Sequence, residues 1–207
     1  MTYSQFEFEL QAFDRESAPH DAAVFYGSSS IRLWDNLVDS FPGIPVVNRG
    51  FGGSTLAECI DLLPRLIYPL RPASIVLYAS DNDLDQGATP GHVEHLFHQF
   101  IIRLRQNCPA IPIALISVKP SPARFWNLAN IRRANTLLQG VCPQYPDVTF
   151  LDLFPRMLSP SGGSRPDLFT DDGLHMNHTG YALWTETIRP WLDSITARRA
   201  TPLEPTL

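Results

Sequence analysis

Short polar segments with reactive side chains recur along this 207-residue sequence, each after an apolar stretch. The first includes the serines Ser28 to Ser30, and the second is a glycine turn that ends at Gly53. The third places Asn82 between two aspartates, and the last is Asp171-Asp172-Gly173-Leu174-His175. A serine hydroxyl becomes a good nucleophile when a histidine takes its proton, and a carboxylate can fix the tautomer of that histidine. These residue types can therefore perform acyl transfer if the fold brings them together.

The elements that must position these segments are short apolar runs typical of buried strands. Each run is nearly continuous in apolar character instead of alternating, which indicates strands covered on both faces of a parallel sheet. The five predicted strands are Ala22–Tyr26, Pro45–Asn48, Ser74–Ala79, Ile111–Val118 and Val148–Leu151.

Helical periodicity fills the segments between these runs. The clearest case is Gly91–Gln106, where apolar residues recur at helical spacing after Pro90. Shorter amphipathic patterns cover Phe6 to Phe13 and Tyr181 to Ile195. Strands alternating with helices predict an α/β protein, a three-layer α/β/α sandwich around a five-stranded parallel sheet of flavodoxin-like form. The order 2-1-3-4-5 is the commoner one for such a sheet, and ligands bind at the carboxyl ends of its strands.

Composition excludes several classes of protein. The chain is 44% hydrophobic and 18% charged, which excludes a disordered protein. Its formal net charge of -5, without a basic block, argues against a nucleic-acid partner. The three cysteines form no CxxC pair, so we expect neither a disulfide scaffold nor a zinc site.

The organisation expected of the chain is simple. We expect one domain over residues 1–199 and a disordered tail over 200–207. The first residues lack a signal-peptide pattern and no apolar run could span a bilayer, so we expect a cytoplasmic protein without a membrane span. A homo-oligomer is compatible with the aromatic content but is not required by it.

Four blocks of the sequence resemble the SGNH (GDSL-type) hydrolase family of serine esterases, over about Val24 to Trp191. The family's F-x-G-D-S block matches Phe25-Tyr26-Gly27-Ser28-Ser29, and its second block ends at a glycine that matches Gly53. Its G-x-N-D block matches Ser80-Asp81-Asn82-Asp83, and its last block matches Asp172-Gly173-Leu174-His175-Met176-Asn177.

The resemblance implies a role for each matched residue. Ser29 would be the nucleophile, His175 the general base, and Asp172, three positions before the histidine, the carboxylate that orients it. The oxyanion hole would consist of the backbone N–H groups of Ser29 and Gly53 and the side-chain amide of Asn82. The implied activity is hydrolysis of a small-molecule ester through an acyl-enzyme, without a metal or organic cofactor. We expect short-chain acyl or acetyl esters, because no long lid or extended apolar groove insertion is identifiable in so compact a sequence.

Two positions depart from the family pattern. Ser28 stands where the family usually has Asp, which leaves open how the nucleophile loop is braced. Ser80 stands where the family usually has Gly, so a residue with a Cβ must fit a turn that often prefers glycine. Neither change removes a group that performs chemistry, so we expect an altered rate or substrate preference rather than an inactive protein.

Several alternatives remain open at this stage. A carbohydrate O-deacetylase, a thioesterase or a lysophospholipase would use the same triad, and a non-catalytic binding protein could use the same scaffold. The loop after the fourth strand contains Arg124, Phe125 and Trp126, which could shape the substrate pocket. The two aromatic residues could equally pack beneath the helix that follows.

Overall fold

The structure, a computed structural model, describes residues 4–200. Residues 201–207 of the predicted disordered tail lie outside the described residues.

A five-stranded parallel sheet forms the centre of the molecule, with the strand order β2-β1-β3-β4-β5. In the central register Val24 of the first strand lies between Val47 of the second and Ile75 of the third. The predicted fold class is confirmed, the strand order is the commoner one for such a sheet, and the observed strand ends lie within two residues of the predicted ones. The strands are β1 Ala23–Gly27, β2 Val46–Gly50, β3 Ser74–Tyr78, β4 Ile113–Ile116 and β5 Val148–Leu151.

Helices follow each strand and cover both faces of the sheet. The α-helices are α1 Glu7–Arg15, α2 Ser29–Arg32, α3 Leu37–Ser40, α4 Leu56–Asp61, α5 Leu63–Leu66, α6 Asp81–Asp85, α7 Pro90–Arg105, α8 Leu128–Val141 and α9 His178–Ala200. Short 3₁₀ helices span Ser4–Phe6, Tyr68–Leu70, Pro122–Asn127, Cys142–Gln144, Pro155–Met157 and Pro166–Leu168.

Two hydrophobic clusters, one on each face of the sheet, explain this layering. Alternate side chains of a strand point to opposite faces, so Val24 and Tyr26 of β1 enter one cluster while Phe25 enters the other. The first cluster packs the sheet against α1, α4, α5, α7 and α8, and the second packs it against α2, α3 and α9. Trp184 of α9 is fully buried in the second cluster.

The helix ends follow local sequence signals. Thr89 precedes α7 and its hydroxyl accepts a hydrogen bond from the backbone N–H of His92, with Pro90 at the first helical position. Thr55 and Glu58 form a reciprocal capping box at the start of α4. Both helices therefore begin at defined residues, and the start of α4 fixes the length of the loop after β2.

No helix among residues 4–200 is both long and apolar enough to cross a lipid bilayer.

Candidate active site

The position of Ser29 follows from the way in which β1 ends. Gly27 has a φ of 132°, and a Cβ built there would lie 1.8 Å from the carbonyl oxygen of Tyr78 in the neighbouring strand. Only glycine can occupy that position, and it lets the chain leave the sheet sharply. Ser29 consequently becomes the first residue of α2, at the carboxyl edge of the sheet.

Asp172 and His175 lie in a tight turn before α9. Asp172 Oδ1 accepts hydrogen bonds from the backbone N–H of Leu174 at 2.8 Å, from that of His175 at 2.9 Å and from the Thr170 hydroxyl at 2.8 Å. Gly173 enables the turn because its φ of 64° is in the left-handed region. The carboxylate is thereby held with its other oxygen directed at the imidazole.

The three predicted triad residues form one continuous chain of hydrogen bonds. Asp172 Oδ2 lies 2.6 Å from His175 Nδ1, and His175 Nε2 lies 3.0 Å from Ser29 Oγ. With an ionised Asp172 as acceptor, Nδ1 carries the imidazole hydrogen and Nε2 is free to accept the serine proton. Ser29 and His175 are 146 positions apart in the chain, so this contact depends entirely on the fold.

The pKa of Asp172 supports that protonation state. Burial favours the neutral carboxyl, but the backbone N–H groups of His175 and Leu174 outweigh it and hold the pKa of Asp172 well below its usual range. The carboxylate therefore stays charged at neutral pH.

The loop after β2 brings Gly53 to the same edge of the sheet. Gly53 has a φ of 72°, whereas a Cβ there would meet no protein atom within 4 Å. Glycine is required here for its backbone conformation and not because of crowding by the protein. The preceding residue is fixed as well, since Gly52 donates its N–H to Glu9 Oε2 of α1 at 3.0 Å.

Asn82 lies in the first turn of α6, and both the nitrogen and the oxygen of its side-chain amide form hydrogen bonds. Its Nδ2 donates to the carbonyl oxygen of Ser54 at 2.9 Å, and its Oδ1 accepts from Arg124 at 3.0 Å. Ser80, which precedes this helix, has a φ of 85°, and its buried Oγ has no hydrogen-bond partner. The serine does adopt the glycine-like conformation that the family pattern indicates, but with a strained backbone.

The loop with the predicted pocket residues is attached to the site at two points. Ala123 donates its N–H to the carbonyl oxygen of Gly173 at 3.0 Å, and Arg124 contacts Asn82, Asp81 and Asp85. Phe125 is half-buried, whereas Trp126 is 72% exposed. Packing beneath the following helix is therefore wrong for Trp126, and Arg124 supports Asn82.

A buried ionic cluster lies behind these residues, and sequence reasoning did not identify it. Lys119 Nζ lies 2.7 Å from Asp81 Oδ2 and 3.1 Å from both Ser30 Oγ and the Tyr78 hydroxyl. Burial alone would keep Asp81 neutral, but Lys119 and Arg124 hold the pKa of this carboxyl below its usual value. The available signal was a lysine directly after a buried apolar run, where a charge is unexpected.

Within residues 4–200 no group of three or more His, Cys, Asp or Glu side chains is arranged to hold a metal ion.

Comparison with solved structures finds the same fold in proteins of low sequence identity. A GDSL-like lipase from Bacteroides thetaiotaomicron aligns with a TM-score of 0.75 and 20% identity, over 93% of this chain and 98% of that one. A lipase/acylhydrolase from Enterococcus faecalis aligns with a TM-score of 0.66 and 20% identity, over 90% and 99% of the two chains. A carbohydrate esterase family 3 protein from Talaromyces cellulolyticus gives a TM-score of 0.63 and 17% identity, over 85% and 99%.

Comparison with curated proteins finds no match. The profile of the GDSL-like lipase/acylhydrolase family, in contrast, matches residues 21–183, which include the segments of Ser29, Gly53, Asn82, Asp172 and His175. With the matching fold, this shows that the chain belongs to the GDSL-like lipase/acylhydrolase family of hydrolases.

Proposed function

We propose that this protein is a serine esterase that hydrolyses short-chain acyl or acetyl esters through an acyl-enzyme. The observation that carries the proposal is the unbroken hydrogen-bonded chain from Asp172 through His175 to Ser29. This arrangement supports nucleophilic catalysis because each group is within reach of the proton that it must hold or transfer.

Acylation uses these groups in sequence. Ser29 Oγ attacks the carbonyl carbon of the ester while its proton passes to His175 Nε2, and Asp172 stabilises the imidazolium. The carbonyl oxygen becomes an oxyanion, and the proposed donors to it are the backbone N–H groups of Ser29 and Gly53 and the Asn82 side-chain amide. His175 then gives the proton to the alcohol oxygen as the ester C–O bond breaks.

Deacylation repeats the same steps with water. His175 takes a proton from water, which attacks the acyl carbon on Ser29, and the proton returns to Ser29 Oγ as the acid is released. The single histidine is regenerated in its starting form, so the cycle needs no group beyond the proposed site residues.

The openness of the site supports a small acyl group. The Asp172 side chain is 49% exposed and that of His175 is 25% exposed, so the site lies close to solvent. A long acyl chain is bound through extensive burial of apolar surface, which a shallow site supplies poorly.

A carbohydrate O-deacetylase is the second candidate, and the exposed Trp126 favours it. The indole lies two positions beyond Arg124, which contacts Asn82, and it presents an aromatic surface to solvent. An amphipathic ring suits an alcohol moiety that is partly apolar and rich in hydroxyls.

The deciding experiment compares wild type, Ser29→Ala and the neighbouring Ser28→Ala on p-nitrophenyl esters from acetyl to octanoyl and on acetylated oligosaccharides. We expect turnover to fall at least about a thousandfold in Ser29→Ala, because the nucleophile is lost. Ser28→Ala should retain most of the activity, and the rate should be highest with the shortest esters. Equal activity of Ser29→Ala and wild type, or no hydrolysis of any ester by wild type, would contradict the proposal.

A further inference from the structure

We propose that Lys119 is a positioning residue, which fixes the separation of Ser29 and Asn82 from behind the site. The inference rests on the proposed esterase function, because it assigns Lys119 to the geometry of that reaction. Lys119 itself does not contact the groups that would react.

The contacts of the ammonium group carry the inference. Its hydrogen-bond acceptors are Asp81 Oδ2 at 2.7 Å, Ser30 Oγ at 3.1 Å and the Tyr78 hydroxyl at 3.1 Å. A lysine ammonium has three N–H donors, so these bonds account for all of them. They reach α2, the end of β3 and the first turn of α6 from a residue that follows β4.

Two of the acceptors are the chain neighbours of proposed site residues. Ser30 follows Ser29, and Asp81 precedes Asn82. The Ser30 backbone is held independently, because its carbonyl oxygen accepts a hydrogen bond from the Tyr181 hydroxyl at 3.1 Å. One side chain thus connects the nucleophile segment with the segment of the oxyanion-hole amide.

Burial makes these bonds rigid. Ser30, Tyr78, Asp81 and Lys119 are at most 3% exposed, and the Tyr78 hydroxyl also donates to Asp81 at 3.2 Å. Water cannot replace a lost partner easily in such a place, so each bond is costly to break. A buried ion pair is weak evidence for stability by itself, which points to geometry as the role of the lysine.

Loss of the lysine should affect the transition state more than substrate binding. The Asn82 amide becomes important only when the carbonyl oxygen gains charge, and misplacement by about 1 Å can cost on the order of 100-fold in rate. We therefore expect a lower kcat with little change in KM.

The test uses Lys119→Met, which leaves Asp81 paired with Arg124 at 2.9 Å. Active sites are counted by labelling with a fluorophosphonate, and kcat is expressed per labelled site so that unfolded protein does not contribute. We expect kcat per site to fall by about 10- to 100-fold, with KM within about threefold of wild type.

A double-mutant cycle separates positioning from a merely structural role. If Lys119 acts through the spacing of Ser29 and Asn82, its substitution should cost less than about threefold in an Asn82→Ala background. An equal loss in both backgrounds would overturn the inference, as would a kcat per labelled site within threefold of wild type.

A pair of strand tyrosines provides a second test that does not depend on the lysine variant folding. Tyr78→Phe removes two hydrogen bonds of the cluster, those with Lys119 and Asp81, whereas Tyr26→Phe removes a buried 2.7 Å bond to the Cys59 carbonyl on the opposite face of the sheet. We expect Tyr78→Phe to lower kcat per site severalfold and Tyr26→Phe to leave it within twofold. Equal values for the two variants would contradict the role of the cluster.

If wild type is not labelled, or Ser29→Ala is as active as wild type, the esterase proposal itself fails.

Discussion

Ser80 combines two unfavourable features in one residue. Its φ of 85° is in the left-handed region, which residues with a Cβ rarely adopt, and its buried Oγ has no hydrogen-bond partner. We expect Ser80→Gly to raise the free energy of unfolding by about 1–2 kcal/mol, since it removes both costs and leaves only a small void. Urea denaturation measures the change.

The Ser80→Ala variant separates the two costs. It removes the hydroxyl but keeps the Cβ, so it should give only part of the stabilisation. Ser80→Gly should retain wild-type turnover, because Asn82 is oriented by Ser54 and Arg124 rather than by Ser80. A glycine variant less stable than the alanine variant would show that the backbone strain is not significant.

Asp172 determines the form of the pH dependence. Its pKa is held below the usual value, so its carboxylate stays ionised as the pH falls from 7 towards 4.5. Asp172 should then contribute no loss of activity in this range, so the limiting slope of log kcat/KM against pH should not exceed one. A pH–rate profile for a short ester measures this slope. A slope of two would mean that Asp172 loses its charge in the same range.

The lowered pKa of Asp172 also makes the free energy of unfolding depend on pH. The unfolded state takes up a proton first as the pH falls, so Asp172 stabilises the folded state above its unfolded pKa. That stabilisation is lost as the pH falls through the lower, folded pKa.

At the residue scale, Ser29, Asn82 and His175 were predicted because they match the family blocks and because each residue type has a defined chemical use at the end of a strand. Lys119 was not predicted, because its partners lie 38 positions away at Asp81 and 89 positions away at Ser30. No local pattern reports contacts at such separations.

The end of β1 determines where α2 begins. A Cβ at Gly27 would overlap the Tyr78 carbonyl oxygen at 1.8 Å, and the φ of 132° disfavours any other residue. We expect Gly27→Ala to destabilise the protein by more than about 3 kcal/mol, because the strand backbones must separate. Thermal unfolding measures the loss.

Gly91 provides the matched control for this substitution. It lies in the first turn of α7, and a Cβ there would meet nothing within 4 Å. Gly91→Ala should be neutral or stabilising by up to about 1 kcal/mol, since alanine favours the helix. Similar losses for both variants would exclude the overlap with Tyr78 as the cause.

At the scale of elements, long and buried segments were predictable and short ones were not. The five strands and the helix α7 were identified from apolar runs and helical periodicity. The helices α2 and α6 contain four and five residues, which is too short for a period of 3.6 to be recognised. Tertiary contacts with the strand ends determine both of them.

The whole molecule assembles its site by joining distant segments at one edge of a parallel sheet. The sequence alone indicated this arrangement, because the carboxyl ends of parallel strands face the same side. It did not indicate that α1 takes part. Glu9 of this helix accepts the Gly52 N–H at 3.0 Å and pairs with Arg32 of α2 at 3.2 Å.

We therefore expect Glu9→Ala to lower kcat by about threefold to tenfold, less than the loss of an oxyanion donor itself. The loop before Gly53 and the end of α2 both lose a contact, whereas the core is unchanged. Glu7→Ala is the control, since Glu7 lies on the same helix but pairs with Arg65. Steady-state kinetics on a short ester compare them, and equal effects of the two substitutions would argue against a role of Glu9 in the site.

The helix α1 also has a consequence for the order in which the protein is made. It is translated before the segments on which it docks, because its polar partners lie between Arg32 and Arg65 and its buried Leu10 belongs to a core built from later strands. A nine-residue helix is marginal by itself, so α1 must wait several seconds, at typical rates of synthesis, for its docking surface. The helix α1 is therefore translated before its docking surface but becomes ordered only after that surface has formed, and full activity should appear only after it docks.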